Sequence, residues 1–381
     1  MNGSIRKRGK DSWELTIDLG FDADGKRKRK FVTVQGKRAD ADKRLRQLLT
    51  DNDKGLPINT AKITVGDWLS RWLQEDVKPQ KRIKTYERYE SIVRKHVAPA
   101  IGHIQLTALT PSHVRTLLTQ LSADGMAPAG VDLVRNVVHG ALKAAMRLDL
   151  LHRNVVDAAP APKIDRPEIA PPDADAVGKV LALAKSQVHP LFAALHLAAY
   201  TGARRGEVLA LAWEYVDLHA GTISITRSLD RAKAGLVFEP PKTRNGRRLI
   251  DLDQRTIEVL RAHQGRQLLE KMQAEGAYVD QGLVFANALG QPINPMRLTR
   301  AFQSLAQQCG LGHVKLHALR HSHATILFAA NESLFDVSRR LGHGSIATTA
   351  DLYGHVLPGH GKKQADAFAH AIQQARPKED L

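Results

Sequence analysis

The sequence predicts a multidomain chain: a small α+β module, an all-α middle domain, and a mainly α third domain with a small antiparallel β-sheet. Three observations carry this expectation. The chain has 381 residues, more than one hydrophobic core usually holds. The first stretch shows strand-like alternation before one helical pattern, whereas the next stretch shows helical patterns alone. A proline-rich segment, DAAPAPKIDRPEIAPPDAD (Asp157 to Asp175), then sets off the remainder. The expected domains are 1–58, 63–158 and 167–381.

In the first module, SWELTIDLG alternates partly and reads as a strand. Asp22 to Gly25 supplies a turn, and KRKRK (Lys26 to Lys30) leads into FVTV, a second strand. A helix follows over roughly Arg38 to Thr50. In the second domain, Thr64 with Asp67 makes a capping-box start, and Trp68, Leu69, Trp72 and Leu73 share one helical face. A second helix begins near Thr85, with Tyr86, Tyr89, Val93 and Val97 in register. A third opens at Thr110-Pro111, cap then first-turn proline. A fourth runs from about Val131 to Leu148. The aromatic stripes read as core.

A proline-rich segment stays extended at about 3.1 Å per residue, so about 13 residues span about 40 Å. That fits a plain spacer or a path around one side of a DNA duplex. The third domain opens with helices over Asp175–Lys185, His189–Tyr200 and Arg204–Leu211. Short strands follow at Thr222–Thr226, Leu236–Glu239 and Arg247–Leu252, with Asn245-Gly246 read as the turn of a hairpin. Asn294-Pro295 starts a later helix, Leu316–Ala330 forms another, and Leu334–Leu341 ends at Gly342. Ser345 caps the helix that carries Tyr353.

Charge narrows the partners. Fifty-six Lys and Arg against 39 Asp and Glu leave a formal charge of +17, which attracts polyanions, and nucleic acid above all. Basic residues of the first module, Arg6, Lys7 and Arg8 with Lys26, Arg27, Lys28, Arg29 and Lys30, are candidate phosphate contacts. A single cysteine, Cys309, allows no internal disulfide and suits a reducing cytosol. No apolar run follows the basic start MNGSIRKRGK, so no secretory leader is expected. LFAALHLAAY (Leu191 to Tyr200) is too short to cross a bilayer, so no membrane contact is expected.

Four clusters in the third domain carry chemistry: TGARRGEVLAL (Thr201 to Leu211), PPKTRNGRRLIDL (Pro240 to Leu252), HALRH (His317 to His321), and LGHGSIATTADLYGHV (Leu341 to Val356). A phosphodiester attacked by a side chain builds charge on its non-bridging oxygens. Two guanidinium forks can neutralise it with charges that do not titrate, and Arg204 and Arg320 are the candidates. Glu207, on the same helical face as Arg204, reads as a residue that orients an arginine. His317, three residues before Arg320, can accept a proton or hold a phosphate oxygen, and His343 can give one more hydrogen bond. No GxxxxGK[ST] phosphate loop and no HExxH occurs, so no cofactor or metal is expected. A metal held by His317 and His321 is the rival reading of that pair.

Together these clusters closely resemble the tyrosine site-specific recombinases of the phage integrase kind. That family's pattern is TG-x-R-x-x-E, a lysine on a β-hairpin, H-x-x-R, LGH, and a tyrosine after Thr-Thr, and all five occur here in order. The middle domain resembles the family's core-DNA-binding domain and, more loosely, the first module its arm-DNA-binding domain. The resemblance implies the tyrosine recombinase fold with a catalytic domain over 167–381. It implies that Tyr353 is the nucleophile, forming a 3′-phosphotyrosine and freeing a 5′ hydroxyl. Lys242 becomes the general acid, with Lys233 the alternative.

The function then expected is integration, and excision, of a phage or mobile element. The partners are double-stranded DNA attachment sites, a homotetramer on DNA, a DNA-bending host factor and an excision directionality factor. The place is a bacterial cytosol, at the nucleoid. The tail near Lys362 to Gln374 reads as a helix that docks on a neighbouring protomer or on its own domain. A chromosome-dimer resolvase and a non-catalytic DNA-binding regulator are the competing readings. The first lacks a basic N-terminal module, and the second leaves the convergence of catalytic residue types unexplained.

Overall fold

A computed structural model describes residues 3–21, 27–53, 63–164, 171–241, 244–353 and 368. The chain divides into two compact units, Met1–Arg166 and Pro167–Leu381. Among the described residues no helix is long and apolar enough to cross a membrane.

The first unit begins with a three-stranded antiparallel sheet, β1 (Gly3–Gly9), β2 (Ser12–Phe21) and β3 (Arg27–Gln35), in the order β1-β2-β3. Helix α1 (Arg38–Asp53) covers one face, where Leu15, Ile17, Ala41 and Leu48 form a small core. Strand β1 corrects the expectation of two strands, because the basic stretch Arg6 to Lys10 shows no apolar alternation in sequence. Its basic side chains hide a ladder in which Ile5 pairs with Leu15 and Arg6 with Glu14. Strand alternation then puts Arg6 and Arg8 on the face away from α1, with Arg29 opposite Asp18 on that face. The expected Asp22–Gly25 turn lies outside the described residues.

The same unit holds a helical bundle. Thr64 and Asp67 form the capping box of α2 (Val65–Trp72), and Trp68 donates through Nε1 to the Ala141 carbonyl at 2.8 Å. A π-helical turn, Leu73–Val77, leads into α3 (Lys78–Gln80), and a second, Val93–Val97, joins α4 (Ile83–Ile92) to α5 (Ala98–Ile101). Each precedes a proline, Pro79 and Pro99, whose missing N–H breaks the α-ladder. Thr110 caps α6 (Pro111–Ala123), and α7 (Pro128–Arg147) starts at Pro128 rather than near Val131. Trp68, Leu69, Trp72, Leu73, Val93 and Val97 are buried in one core.

The second unit packs α8 (Ala174–Ser186), α9 (Phe192–Thr201) and α10 (Arg205–Ala210) with two small sheets. One sheet has the order β4 (Val216–Asp217), β5 (Thr222–Ile225), β8 (Arg248–Asp251); the other pairs β6 (Ser228–Ala232) with β7 (Gly235–Glu239). This corrects the expected hairpin at Asn245-Gly246. β7 pairs with β6 across Lys233-Ala234, and β8 pairs with β5, Ile223 opposite Ile250. Arg244–Gly246 instead forms a 3-10 turn between the two sheets. The Asn-Gly pair misleads because β6, with Asp230 and Arg231 at its centre, has no apolar alternation.

Four elements then surround the motifs. They are α11 (Gln254–Gln273), α12 (Pro295–Gln308, capped by Asn294), α13 (Ala318–Ala329) and α14 (Leu334–Leu341). The last described helix is α15 (Ile346–Tyr353). The sequence pattern does not single out α11, because its buried face is partly polar. His263 bonds the Val284 carbonyl at 2.7 Å, and Gln267 accepts from Trp213 Nε1 at 2.7 Å.

Candidate active site

The TG-x-R-x-x-E box is a helix end followed at once by a helix start. Buried Thr201 donates back to the Leu197 carbonyl and accepts from the Ala203 N–H, which closes α9. Gly202 turns the chain with φ +62°. A side chain there is excluded twice over, since a Cβ would lie 2.6 Å from Leu341 and 2.9 Å from His323. Arg204 is the N-cap of α10, and Glu207 three residues on accepts its backbone N–H at 2.9 Å. The other Glu207 oxygen accepts from Arg204 Nη1 at 2.9 Å. The box spacing is thus a capping box whose acid also holds the cap's guanidinium.

Glu207 does more than the sequence suggests. Its side chain is 3% exposed and also pairs with Arg248 Nη2 at 2.8 Å. Burial alone would raise its pKa, but the charge and hydrogen bond of Arg248, then the Arg204 charge, outweigh that and hold it below the usual carboxylate value. The carboxylate therefore stays ionised between two arginines. Sequence reasoning missed Arg248; the signal was an arginine at an inward position of a strand that follows a lysine box.

The LGH box is the end of α14. Gly342 sits at φ +69° as the left-handed cap, and its N–H and that of His343 both reach the Ser338 carbonyl. The carbonyls that this last turn leaves without helical partners receive the two arginines. Arg204 Nη2 donates to the Gly342 carbonyl at 3.3 Å, and Arg320 Nη2 to the Leu341 carbonyl at 2.8 Å. Arg320 Nη1 donates to the Gly202 carbonyl at 2.8 Å. Three sequence boxes thus meet at one turn.

The two arginines differ in setting. Arg320 is 3% exposed, whereas the Arg204 side chain is 41% exposed. His317 caps α13 just ahead of Arg320, and its ring meets His321 edge-on at 4.9 Å. Desolvation of the ring, followed by the neighbouring His321, Arg320 and Arg204, lowers its pKa to about 4, although the residue as a whole is exposed and solvent screens part of that effect. His343 is lowered to about 4 in the same way, by burial and then by Arg320 and Arg204. Both rings are therefore neutral near pH 7.

His343 has a partner the sequence did not assign. Its Nδ1 lies 2.6 Å from the hydroxyl of Thr349, which is fully buried. In the tautomer whose Nδ1 accepts from Thr349, the ring proton sits on Nε2, ready to be donated to an anion. This gives the Thr-Thr of the tyrosine box a physical task. His323 is tied into the fold: Nδ1 bonds the Ala199 carbonyl at 3.0 Å, and Nε2 accepts from Arg340 at 3.1 Å.

The remaining candidates fall as follows. The backbone of Tyr353 closes α15, and its side chain lies outside the described part of the structure. Lys242 lies outside the described residues, as do Lys26 and, apart from Phe368, the 362–374 tail. Lys233 is at the tip of the β6–β7 hairpin. Arg6, Lys7, Arg8 and Arg29 are exposed in the first unit, Lys7 lying over the Trp13 ring at 5.8 Å. Arg27, Lys28 and Lys30 belong to β3, with side chains outside the described part. Among the described residues no group of three His, Cys, Asp or Glu is placed to hold a metal.

Comparison with known proteins identifies the family and the fold. The phage integrase family model matches residues 173–360, and the phage integrase N-terminal SAM-like domain matches residues 64–122. An integrase of Streptomyces ambofaciens is 31% identical over 355 residues, covering 90% of this chain and 88% of the relative. The Tn1549 transposon integrase, solved in complex with transposon right end DNA, superposes with a TM-score of 0.66 at 17% identity. That match covers 81% of this chain and 99% of that one. The lambda integrase tetramer bound to a Holliday junction gives 0.57 at 19%, covering 91% and 94%. This chain belongs to the phage integrase family and is a tyrosine recombinase, a site-specific integrase of the kind phages and mobile elements carry.

Proposed function

We propose that this recombinase cuts and rejoins double-stranded DNA at attachment sites of its element, with Tyr353 as nucleophile. The phenol oxygen bonds to phosphorus, the P–O5′ bond breaks, and the electron pair and a proton go to O5′. A 3′-phosphotyrosine and a free 5′ hydroxyl result. The ester conserves the bond energy, so attack by a second 5′ hydroxyl expels the tyrosine and religates without ATP.

The observation that carries this reading is the convergence of Arg204 and Arg320 on the adjacent carbonyls of Gly342 and Leu341. Two fixed cations beside two neutral imidazoles make a site for a phosphodiester dianion-like transition state. Arg204 and Arg320 hold the non-bridging oxygens, His343 adds a hydrogen bond, and His317 takes the tyrosine proton or holds an oxygen. Lys242 protonates O5′. In its favour over Lys233, Lys242 stands two residues before the Arg244–Gly246 turn, whose Asn245 Nδ2 reaches the His343 carbonyl at 3.4 Å.

The layout follows the chemistry. The module over 1–58 binds arm DNA through Arg6, Arg8 and Arg29 and their basic neighbours, 63–158 binds the core site, and 167–381 is catalytic. The lambda relative is a tetramer on a Holliday junction, and the present chain acts as a homotetramer that exchanges strands pairwise. It works on nucleoid DNA in a bacterial cytosol, with a DNA-bending host factor and a directionality factor for excision. The 362–374 tail docks on the neighbouring protomer. The test is recombination between two attachment sites on one plasmid, with chelator present and ATP absent. Recombinant product with the native chain and none with Tyr353→Phe is expected; product from Tyr353→Phe, or a strict need for metal, refutes the proposal.

A further inference from the structure

Arg248 lies in the lysine cluster, Pro240 to Leu252, without being one of the candidate site residues, yet its guanidinium joins the ends of three boxes. Its side chain is 5% exposed. Nη2 donates to Glu207 Oε2 at 2.8 Å, Nε to the Arg340 carbonyl at 2.7 Å, and Nη1 to the Gly246 carbonyl at 3.1 Å. One planar fork thus reaches α10, the last turn of α14, and the turn Arg244–Gly246. That turn also lies against Gly342, where a Cβ would meet the Asn245 carbonyl at 2.9 Å and Arg248 Nη1 at 3.0 Å. Arg244 follows Lys242 by two residues.

A buried ion pair is weak evidence of stabilisation, because desolvation offsets much of its attraction. What a guanidinium adds over an apolar filler is direction, since three acceptors on three segments are fixed by one plane. We propose that Arg248 is a positioning residue for the cleavage step. It registers the segment following Lys242 against the α14 end that carries His343 and against the Glu207–Arg204 pair. This rests on the function proposed above, in which Lys242 protonates the leaving O5′.

The proton makes the role measurable. An alkoxide leaves poorly unless protonated, whereas a sulfur placed at the bridging 5′ position leaves as a thiolate. A thiol, with a pKa of about 8.5, is far more acidic than an alcohol, so its anion leaves without a proton. A residue that acts through the acid arm matters for the oxygen substrate and far less for the sulfur one. A residue that only supports the fold, or acts through Arg204 alone, slows both alike.

The experiment uses the full chain and nicked attachment-site duplexes with either oxygen or sulfur at the scissile 5′ position, reading covalent adduct over time. Arg248→Lys keeps the charge but loses the fork. It should slow cleavage of the oxygen duplex about 10²-fold and of the sulfur duplex less than about fivefold. Equal losses on both, or no loss on either, overturn the proposal. Wild type and Tyr353→Phe run alongside. A wild-type chain that attaches to neither duplex strikes down the proposed function itself, and the role of Arg248 with it. If Arg248→Lys melts early, Asn245→Ala, at an exposed position of the same turn, reads the same arm. It should lower the oxygen-to-sulfur rate ratio, and an unchanged ratio contradicts the proposal.

Discussion

Arg204 and Arg320 donate to adjacent carbonyls of one helix end, Gly342 at 3.3 Å and Leu341 at 2.8 Å. Neither needs the other for this; each needs the left-handed turn at Gly342, which frees those carbonyls. The anion site is therefore built on the end of α14. The positive ends of two side chains satisfy carbonyls that a helix leaves unpaired.

The two arginines should separate on mutation. Arg204→Ala removes a half-exposed cation and should slow adduct formation by about 10²–10³ with little change in melting. Arg320→Ala should slow it as much and also destabilise the fold, by about 1–3 kcal/mol for each buried carbonyl left unpaired. Adduct kinetics with thermal melting on both variants decide this. Equal stability loss in the two would contradict the burial argument.

Glu207→Ala leaves Arg248 buried without its counter-charge and should cost about 3–5 kcal/mol. Glu207→Gln should cost less. The native pKa is held below the ordinary value of 4.5, so the carboxylate's contribution is fully present above that value and is lost as pH falls through the lowered one. The stability gap between wild type and Glu207→Gln should thus be constant above about pH 5 and shrink below about 4.5. Urea melts across that range measure it.

The buried histidines set a separate acid limit. His196, His263 and His323 have pKa values lowered to about 4, chiefly by burial. Unfolded, they would take protons near 6.5, so the unfolded chain binds more protons between 6.5 and 4. Stability should fall steadily as pH drops through that window. A melting temperature that stays flat from pH 7 to 4.5 would contradict it.

Thr349→Val keeps the volume and removes the His343 partner. Adduct formation should slow about 10-fold with DNA binding unchanged, as expected when a neighbour orienting an imidazole is lost. A variant with wild-type kinetics would show that Thr349 is only filling space.

Much of this site was legible because its motifs are helix ends written in local chemistry. Thr201-Gly202, Arg204 with Glu207, and Gly342 specify a stop, a start and a stop by caps and positive φ, which act within a few residues. The caps at Thr64, Thr110 and Asn294 were legible for the same reason. What local chemistry could not supply was partnership at a distance. β1 and β6 are strands because of the ladders they join, against charged sequences. Asn245-Gly246 looks like a hairpin turn until β8 is seen to pair with β5. Arg248 matters through Glu207 and Arg340, which are far away in the chain; Thr349 is only six residues from His343, but no capping or turn rule pairs a hydroxyl with a ring at that spacing.

The central claim is that Tyr353 attacks DNA in this arginine-lined site. The direct measurement is to incubate the native chain with nicked suicide duplexes carrying its attachment site, in chelator, and to look for a denaturation-resistant adduct. The account predicts an adduct that maps by peptide mass to Tyr353 and vanishes in Tyr353→Phe. An adduct that survives Tyr353→Phe, or clear site binding without any adduct, would contradict it.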